Sequence, residues 1–278
     1  MLERRRYLLA RRLSQLSILL AFAAGPWLGV FVARGTLASS VWFEAVPLTD
    51  PFVLLQGLVA GHRPAIAAVA GAALVLVFLA LLGGRFFCAW VCPINLVTDA
   101  SRGLRSSLEW RRAALLRIDK RLRYVLLFAV LAGSFASGAI VWELVNPITM
   151  TLRALVFGAW AGGVVAVVAI FLFDFLLLSN GWCGHVCPVG AFYGAVGRPG
   201  LLRVAAVRRA ACTNCGDCFR HCPEPQVIGP ALRGVDGQGV AIDDVDCLRC
   251  GRCIDVCEER VFAFSILRAK SDVGDGPG

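Results

Sequence analysis

Apolar residues fill four long blocks in the first 178 positions, and a polar, cysteine-rich stretch follows. The first block, Leu13–Ala33, carries Ser14, Gln15 and Ser17 near its start and a Gly25-Pro26 pair inside it. As a helix rising 1.5 Å per residue it would reach about 31 Å, the thickness of the hydrocarbon core. Pro64–Gly83, Tyr124–Trp142 and Ala154–Leu178 are the other three. All four are predicted to span a membrane. Ala21-Phe22-Ala23 looks like a leader cleavage site, but the apolar run continues beyond it, which favours an uncleaved first span. Residues 34–63 are different. Glu44, Asp50 and two prolines interrupt the apolar segments Val41-Trp42-Phe43 and Phe52–Ala60, so this region is expected in the interface or re-entering the bilayer.

Composition agrees with a membrane protein. The 278 residues are 58% hydrophobic and 17% charged, against about 25% charged in an ordinary soluble domain. The net charge of +9 has a topological reading. Arg4, Arg5, Arg6, Arg11, Arg12, Arg85, eight Lys/Arg within residues 102–123 and the tail lie on one side of the four spans. Arg34, Arg63 and Arg153 lie on the other. The positive-inside bias puts both termini and the cysteine-rich tail in the cytoplasm of a multi-pass inner-membrane protein. The basic residues adjoin apolar spans and form no aromatic-interleaved polar face, so nucleic acid is not an expected partner; membrane lipid is.

All 12 cysteines fall in four groups. Two are runs of C-x2-C-x2-C-x3-C, from Cys212 to Cys222 and from Cys247 to Cys257. Three closely spaced thiolates reach three corners of a [4Fe–4S] cube, and the fourth comes from the other run. The spacing predicts cluster I on Cys212, Cys215, Cys218 and Cys257, and cluster II on Cys222, Cys247, Cys250 and Cys253. A zinc site would use four thiolates and leave four over. The expected fold here is a ferredoxin-like α+β unit over residues 201–268, following a membrane domain over 1–200. A turn at Asp236-Gly237 would join short strands near Ile228 and Val240–Ile242, Val261–Ile266 would close the unit, and a disordered tail would occupy 269–278.

The other two groups are C-x3-C-P motifs, Cys88/Cys92 and Cys183/Cys187, each after a span. The blocks before the second and fourth spans also match: W-F-E-A-V-P-L-T from Trp42 and W-E-L-V-N-P-I-T from Trp142. Loop, span and C-x3-C-P occur in the same order twice, which predicts a parallel two-helix repeat about an axis along the membrane normal. The four thiols would emerge on one face. They are candidates for an additional redox or metal site, with structural thiol turns as the equal alternative. Carboxylates near apolar spans are costly and mark sites by default, which makes Glu44, Glu143 and Asp174 candidate proton acceptors; pairing with Arg34 or Arg153 at the interface is the equal alternative for the first two. His62, His185 and His221 read as ordinary hydrogen-bonded histidines.

These motifs, together with G-P-W-L-G-V-F at Gly25, V-P-L-T-D-P at Val46 and W-C-G-H-V-C-P-V-G-A at Trp182, closely resemble the NapH-type membrane subunit of the periplasmic nitrate reductase quinol dehydrogenase. The methylamine-utilisation relative of that family looks similar. The resemblance implies oxidation of quinol or menaquinol in the inner membrane. Electrons would pass through the clusters to a periplasmic iron–sulfur subunit, and onward to a terminal periplasmic reductase or its cytochrome. One position departs from the pattern: Cys257 is followed by Glu258, where proline is expected.

Overall fold

The computed structural model describes residues 5–108, 118–234 and 239–266. Its chain gathers into two compact units. One comprises Ser14–Val77 and Val91–Phe192, the other Met1–Leu13, Phe78–Trp90 and Tyr193–Gly278.

In the first unit, the leading helix α1 (Arg6–Leu28) starts before the apolar block and stops short of its end. Pro26 lies in the last turn, and Gly29 turns left-handed at φ 72° to leave the helix. Residues 33–49 then form a three-stranded antiparallel sheet, β1 (Ala33–Gly35), β2 (Ser39–Trp42) and β3 (Val46–Thr49), in the order β1-β2-β3. The β2–β3 turn places Phe43 and Glu44 at positive φ. Asp50 caps the next helix, α2 (Pro51–Val59), accepting the Phe52 N–H at 2.7 Å, with Pro51 at the first position, where no N–H is missed.

The same device recurs after α6 (Leu122–Ser137) and α7 (Val141–Val145). Asn146 accepts the Ile148 N–H and Pro147 opens α8 (Pro147–Phe157). Pro51, rather than Pro47, shares with Pro147 the first position of a helix behind a capping Asp or Asn.

The fourth apolar block is not one helix. Gly158 at φ 71° ends α8, and a new helix, α9 (Trp160–Leu172), folds back on it. Gly163 permits that approach, because a side chain there would strike Ala154 and the Met150 carbonyl. The helix continues into a π turn, Phe173–Leu177. Among the described residues, two helices are long and apolar enough to cross a membrane, Arg6–Leu28 and Trp160–Leu177. The apolar helices α3 (Ile66–Leu82) and α6 are shorter, 17 and 16 residues. Their outer faces are exposed hydrophobics such as Val69, Leu74, Val125 and Phe128. Buried within this unit, Gln56 accepts the Trp142 N–H and a Ser134 hydroxyl and donates to the Phe52 carbonyl. An amide in an apolar helix is thus fully engaged, as burial requires.

The second unit is built around Val204, Ile228, Ile242, Val261 and Phe262. Strand β4 (Leu202–Ala205) pairs antiparallel with β5 (Ala263–Ile266). The expected closing strand thus exists, slightly shorter than the apolar run. The expected strand near Ile228 does not: Ile228 opens a short helix instead, and Val240–Ile242 adds only a single bridge, Ala241 to Ala205. The turn at Asp236-Gly237 and the tail 269–278 lie outside the described residues. The start of α1 belongs to this unit. Asp255 accepts the Tyr7 and Leu8 N–H groups at 3.2 and 2.9 Å, and the Tyr7 ring meets Phe264 edge-on. Those first-turn amides have no partner within their own helix, so a distant carboxylate completes it.

Candidate metal centre

The two cysteine runs adopt one backbone design. The residue before the second Cys is left-handed in each, Asn214 at φ 57° and Arg249 at φ 52°. The glycine after it is too, Gly216 at φ 80° and Gly251 at φ 73°. These paired reversals curl the loop so that three thiols turn inward. A one-turn helix follows, Asp217–His221 in the first run and Arg252–Val256 in the second. It ends at an extended fourth cysteine, Cys222 or Cys257. Pro223 favours that extended geometry at Cys222. Cys257 adopts it without a proline, so the departure at Glu258 leaves the thiol placed alike.

The thiols assort in the crossed pattern. Cys212, Cys215, Cys218 and Cys257 line one cavity of about 170 Å³. Cys222, Cys247, Cys250 and Cys253 line a smaller one. Backbone amides point at sulfur, Asn214 N–H to Cys212 Sγ and Val261 N–H to Cys257 Sγ. Such bonds stabilise metal-bound thiolate.

Burial pushes the Cys247 thiol up to about 11, and burial with neighbouring thiols raises Cys218, Cys222 and Cys253 as well. Four crowded thiols cannot ionise together without a positive centre, and cluster iron supplies one. A single ion would draw its ligands to one point. Among the described residues no three Cys, His, Asp or Glu side chains converge in that way. A cube spreads four thiolates over four irons, which suits this donor set.

The second pocket has a buried ionic clamp that the sequence reading assigned to topology alone. Arg85 Nη1 lies 3.3 Å from Glu224 Oε1, donates to the Asp246 carbonyl at 2.9 Å and stands 3.7 Å from Asp246 Oδ1. Both Arg85 and Glu224 are sealed from solvent. An acidic residue two positions after Cys222 and another just before Cys247 were the available signal.

The C-x3-C-P motifs are divided between the units. Cys88, on α4 (Phe86–Trp90), packs with Leu248 and Cys250 in the cysteine-rich unit. Cys92, Cys183 and Cys187 belong to the other. The Cys92 carbonyl accepts Gln15 Nε2. Cys183 lies buried on a second π turn, Trp182–Val186, where the Gly184 carbonyl accepts Arg123. Cys187 ends that turn extended before Pro188. π turns gather at functional sites.

The three carboxylates have separate surroundings. Glu44 pairs with Arg34 at 2.7 Å on an exposed turn. Glu143 accepts Asn146 Nδ2 at 2.7 Å and reaches Arg153 at 4.0 Å. Asp174 is buried in the first π turn. Its Oδ1 accepts the Trp182 N–H, its Oδ2 has no hydrogen-bond partner among the described residues, and Arg105 donates to its carbonyl. His62 and His221 each bond a backbone carbonyl.

The family described as 4Fe-4S binding domain matches twice, at residues 64–111 and 158–208, so each match holds one C-x3-C-P motif. The 4Fe-4S dicluster domain matches residues 205–258. The ferredoxin-type protein NapH of Haemophilus influenzae is 46% identical over 94% of this chain and 90% of its own. The methylamine utilization ferredoxin-type protein MauN of Methylorubrum extorquens is 47% identical over 94% and 89%. The putative electron transport protein YccM of Escherichia coli is 29% identical over 76% and 60%. No solved structure matches the chain.

Proposed function

The chain belongs to the NapH-type family of ferredoxin-type proteins, in which MauN proteins are equally similar, and from that premise we propose that it is the membrane electron-transfer subunit of a quinol dehydrogenase. The observation that carries this reading is the pair of four-thiol pockets in a chain that also carries apolar helices of membrane length. The first pocket would hold one [4Fe–4S] cluster on Cys212, Cys215, Cys218 and Cys257; the second would hold another on Cys222, Cys247, Cys250 and Cys253. Bound clusters supply one-electron acceptance, and a quinol gives up two electrons and two protons. The chain's own part is to hold eight thiolates, exclude water from the second pocket and tether the cysteine-rich unit to the membrane.

On this reading α1, α3, α6 and α9 are four spans in a parallel repeat, with termini and pockets in the cytoplasm. Double matching of one family supports the repeat. Cys88, Cys92, Cys183 and Cys187 are the candidates for further redox or metal chemistry, and Asp174 is the foremost of the candidate proton acceptors. The partners are a periplasmic iron–sulfur protein and a terminal nitrate reductase. The equal similarity of MauN favours a second reading of the same chemistry, in which the electrons or the maturation serve a methylamine-oxidising enzyme.

The test uses the full chain, iron-loaded anaerobically in detergent and mixed with a menaquinol analogue. Bleaching of the iron–sulfur absorbance by quinol supports the reading. Bleaching by dithionite but never by quinol overturns it.

A further inference from the structure

The two thiolate pockets are finished differently. Around the first, Thr213, Asn214 and Cys215 are exposed. In the second, Cys247, Cys250 and Cys253 are all buried. Residues far away in the chain cover it. Gly83, at φ 91°, packs where any side chain would collide with the Arg249 guanidinium. Cys88, Ala89 and Trp90 pack on Leu248 and Cys250, and Trp90 Nε1 donates to the Arg249 carbonyl at 3.1 Å. Arg85 holds Glu224, two residues past Cys222, and Asp246, next to Cys247. One guanidinium therefore fixes both chain segments that bring the outlying thiols of this pocket together. A buried ion pair gains little net stability over an apolar packing, so its placement between two ligand segments suggests a positioning role.

We propose that Gly83–Trp90 is a lid built into the second pocket, and that Arg85 is its positioning residue, holding Cys222 and Cys247 in register around a cluster and setting positive charge beside it. The inference rests on the reading that each pocket takes up a [4Fe–4S] cluster. It makes the second pocket the one addressed by the segment leaving α3, and the first pocket the one facing outward.

The experiment compares Arg85→Gln, Arg85→Lys and Trp90→Phe in the full iron-loaded chain, by potentiometric electron paramagnetic resonance after dithionite reduction. Cys215→Ser identifies the first pocket's signal. Arg85→Gln should shift only the other signal, to lower potential because a positive charge is gone, and should hasten its loss to an iron chelator several-fold. Arg85→Lys should restore the potential. Trp90→Phe should hasten chelation of that cluster alone, to a smaller degree. Equal shifts in both signals, or none, overturn the proposal. If the unsubstituted chain takes up no iron, the cluster reading fails and the lid is read on the metal-free chain by thiol alkylation. Arg85→Gln must then accelerate labelling of Cys247 and Cys250 and leave Cys215 unchanged; unaltered labelling overturns the lid.

Discussion

Asp174 Oδ1 accepts the backbone N–H of Trp182 at 2.9 Å, so a carboxylate in one π turn holds the first residue of another. Its second oxygen is buried and has no hydrogen-bond partner among the described residues. Asp174→Asn keeps a carbonyl acceptor for Trp182 and removes the proton acceptor. The expected outcome is loss of quinol-dependent reduction with dithionite reduction intact. Asp174→Ala leaves the Trp182 N–H unsatisfied and should cost about 1–3 kcal/mol, read by thermal unfolding in detergent. Normal quinol turnover in Asp174→Asn would remove this residue from the chemistry.

With Cys88, Cys92, Cys183 and Cys187 all changed to Ser, iron and acid-labile sulfide on the full chain should approach about eight each, the content of two [4Fe–4S] cubes. Cys215→Ser, at the exposed corner of the first pocket, should lower the count by one iron or one cluster and leave the second pocket's signal in place. Zinc at one or two per chain would contradict the cluster reading.

Ser substitutions at Cys88, Cys92, Cys183 and Cys187 test whether the repeated motifs act as a unit. Residues that act together are non-additive, so each single change should cost quinol-dependent reduction nearly as much as the quadruple change. Additive partial losses would mean separate structural turns. Because Cys88 packs against Cys250, its substitution should also disturb the second pocket's spectrum.

The metal-free chain should lose stability as pH rises. The Cys247 thiol moves from an ordinary value of 9.0 to about 11 on folding, so the folded state favours the protonated form. Its contribution is fully present below about 9 and is lost as pH climbs through 11, with Cys218, Cys222 and Cys253 acting in the same direction. Denaturant midpoints across that window check it. Iron loading should remove the dependence, because bound thiolates no longer titrate there.

Reporter fusions after Gly278 and within residues 102–123 should be active only with a cytoplasmic reporter, following the Arg/Lys asymmetry. An exported tail reporter would reverse the orientation.

What the letters disclose depends on how local the cause is. Asn214, Gly216, Arg249 and Gly251 take their backbone from immediate neighbours, so the C-x2-C-x2-C-x3-C spacing alone indicates two inward-curled loops. The apolar blocks likewise announce helices, but hydropathy does not register Gly158. A left-handed residue there breaks the fourth block in two, and only the packing of Gly163 against Ala154 shows why the chain folds back. Arg85 was least legible. At the end of an apolar run an arginine suits a topology signal, and its burial against Glu224 and Asp246 depends on pairings across more than a hundred residues. Gln56 is hidden for the same reason, its partner Trp142 being remote in sequence.

The bond from Asp255 to the Tyr7 and Leu8 amides has a meaning in time as well as in space. Helix α1 is completed by a residue made 247 positions later. At roughly 5–20 residues per second, its first turn waits about 12–50 s with its amides unmet by this carboxylate. That carboxylate sits on the one-turn helix between Cys253 and Cys257, within the last cysteine run. The first turn of α1 is therefore finished only once the second cysteine run has been synthesised and folded, so maturation of the cysteine-rich unit and completion of α1 become a single event.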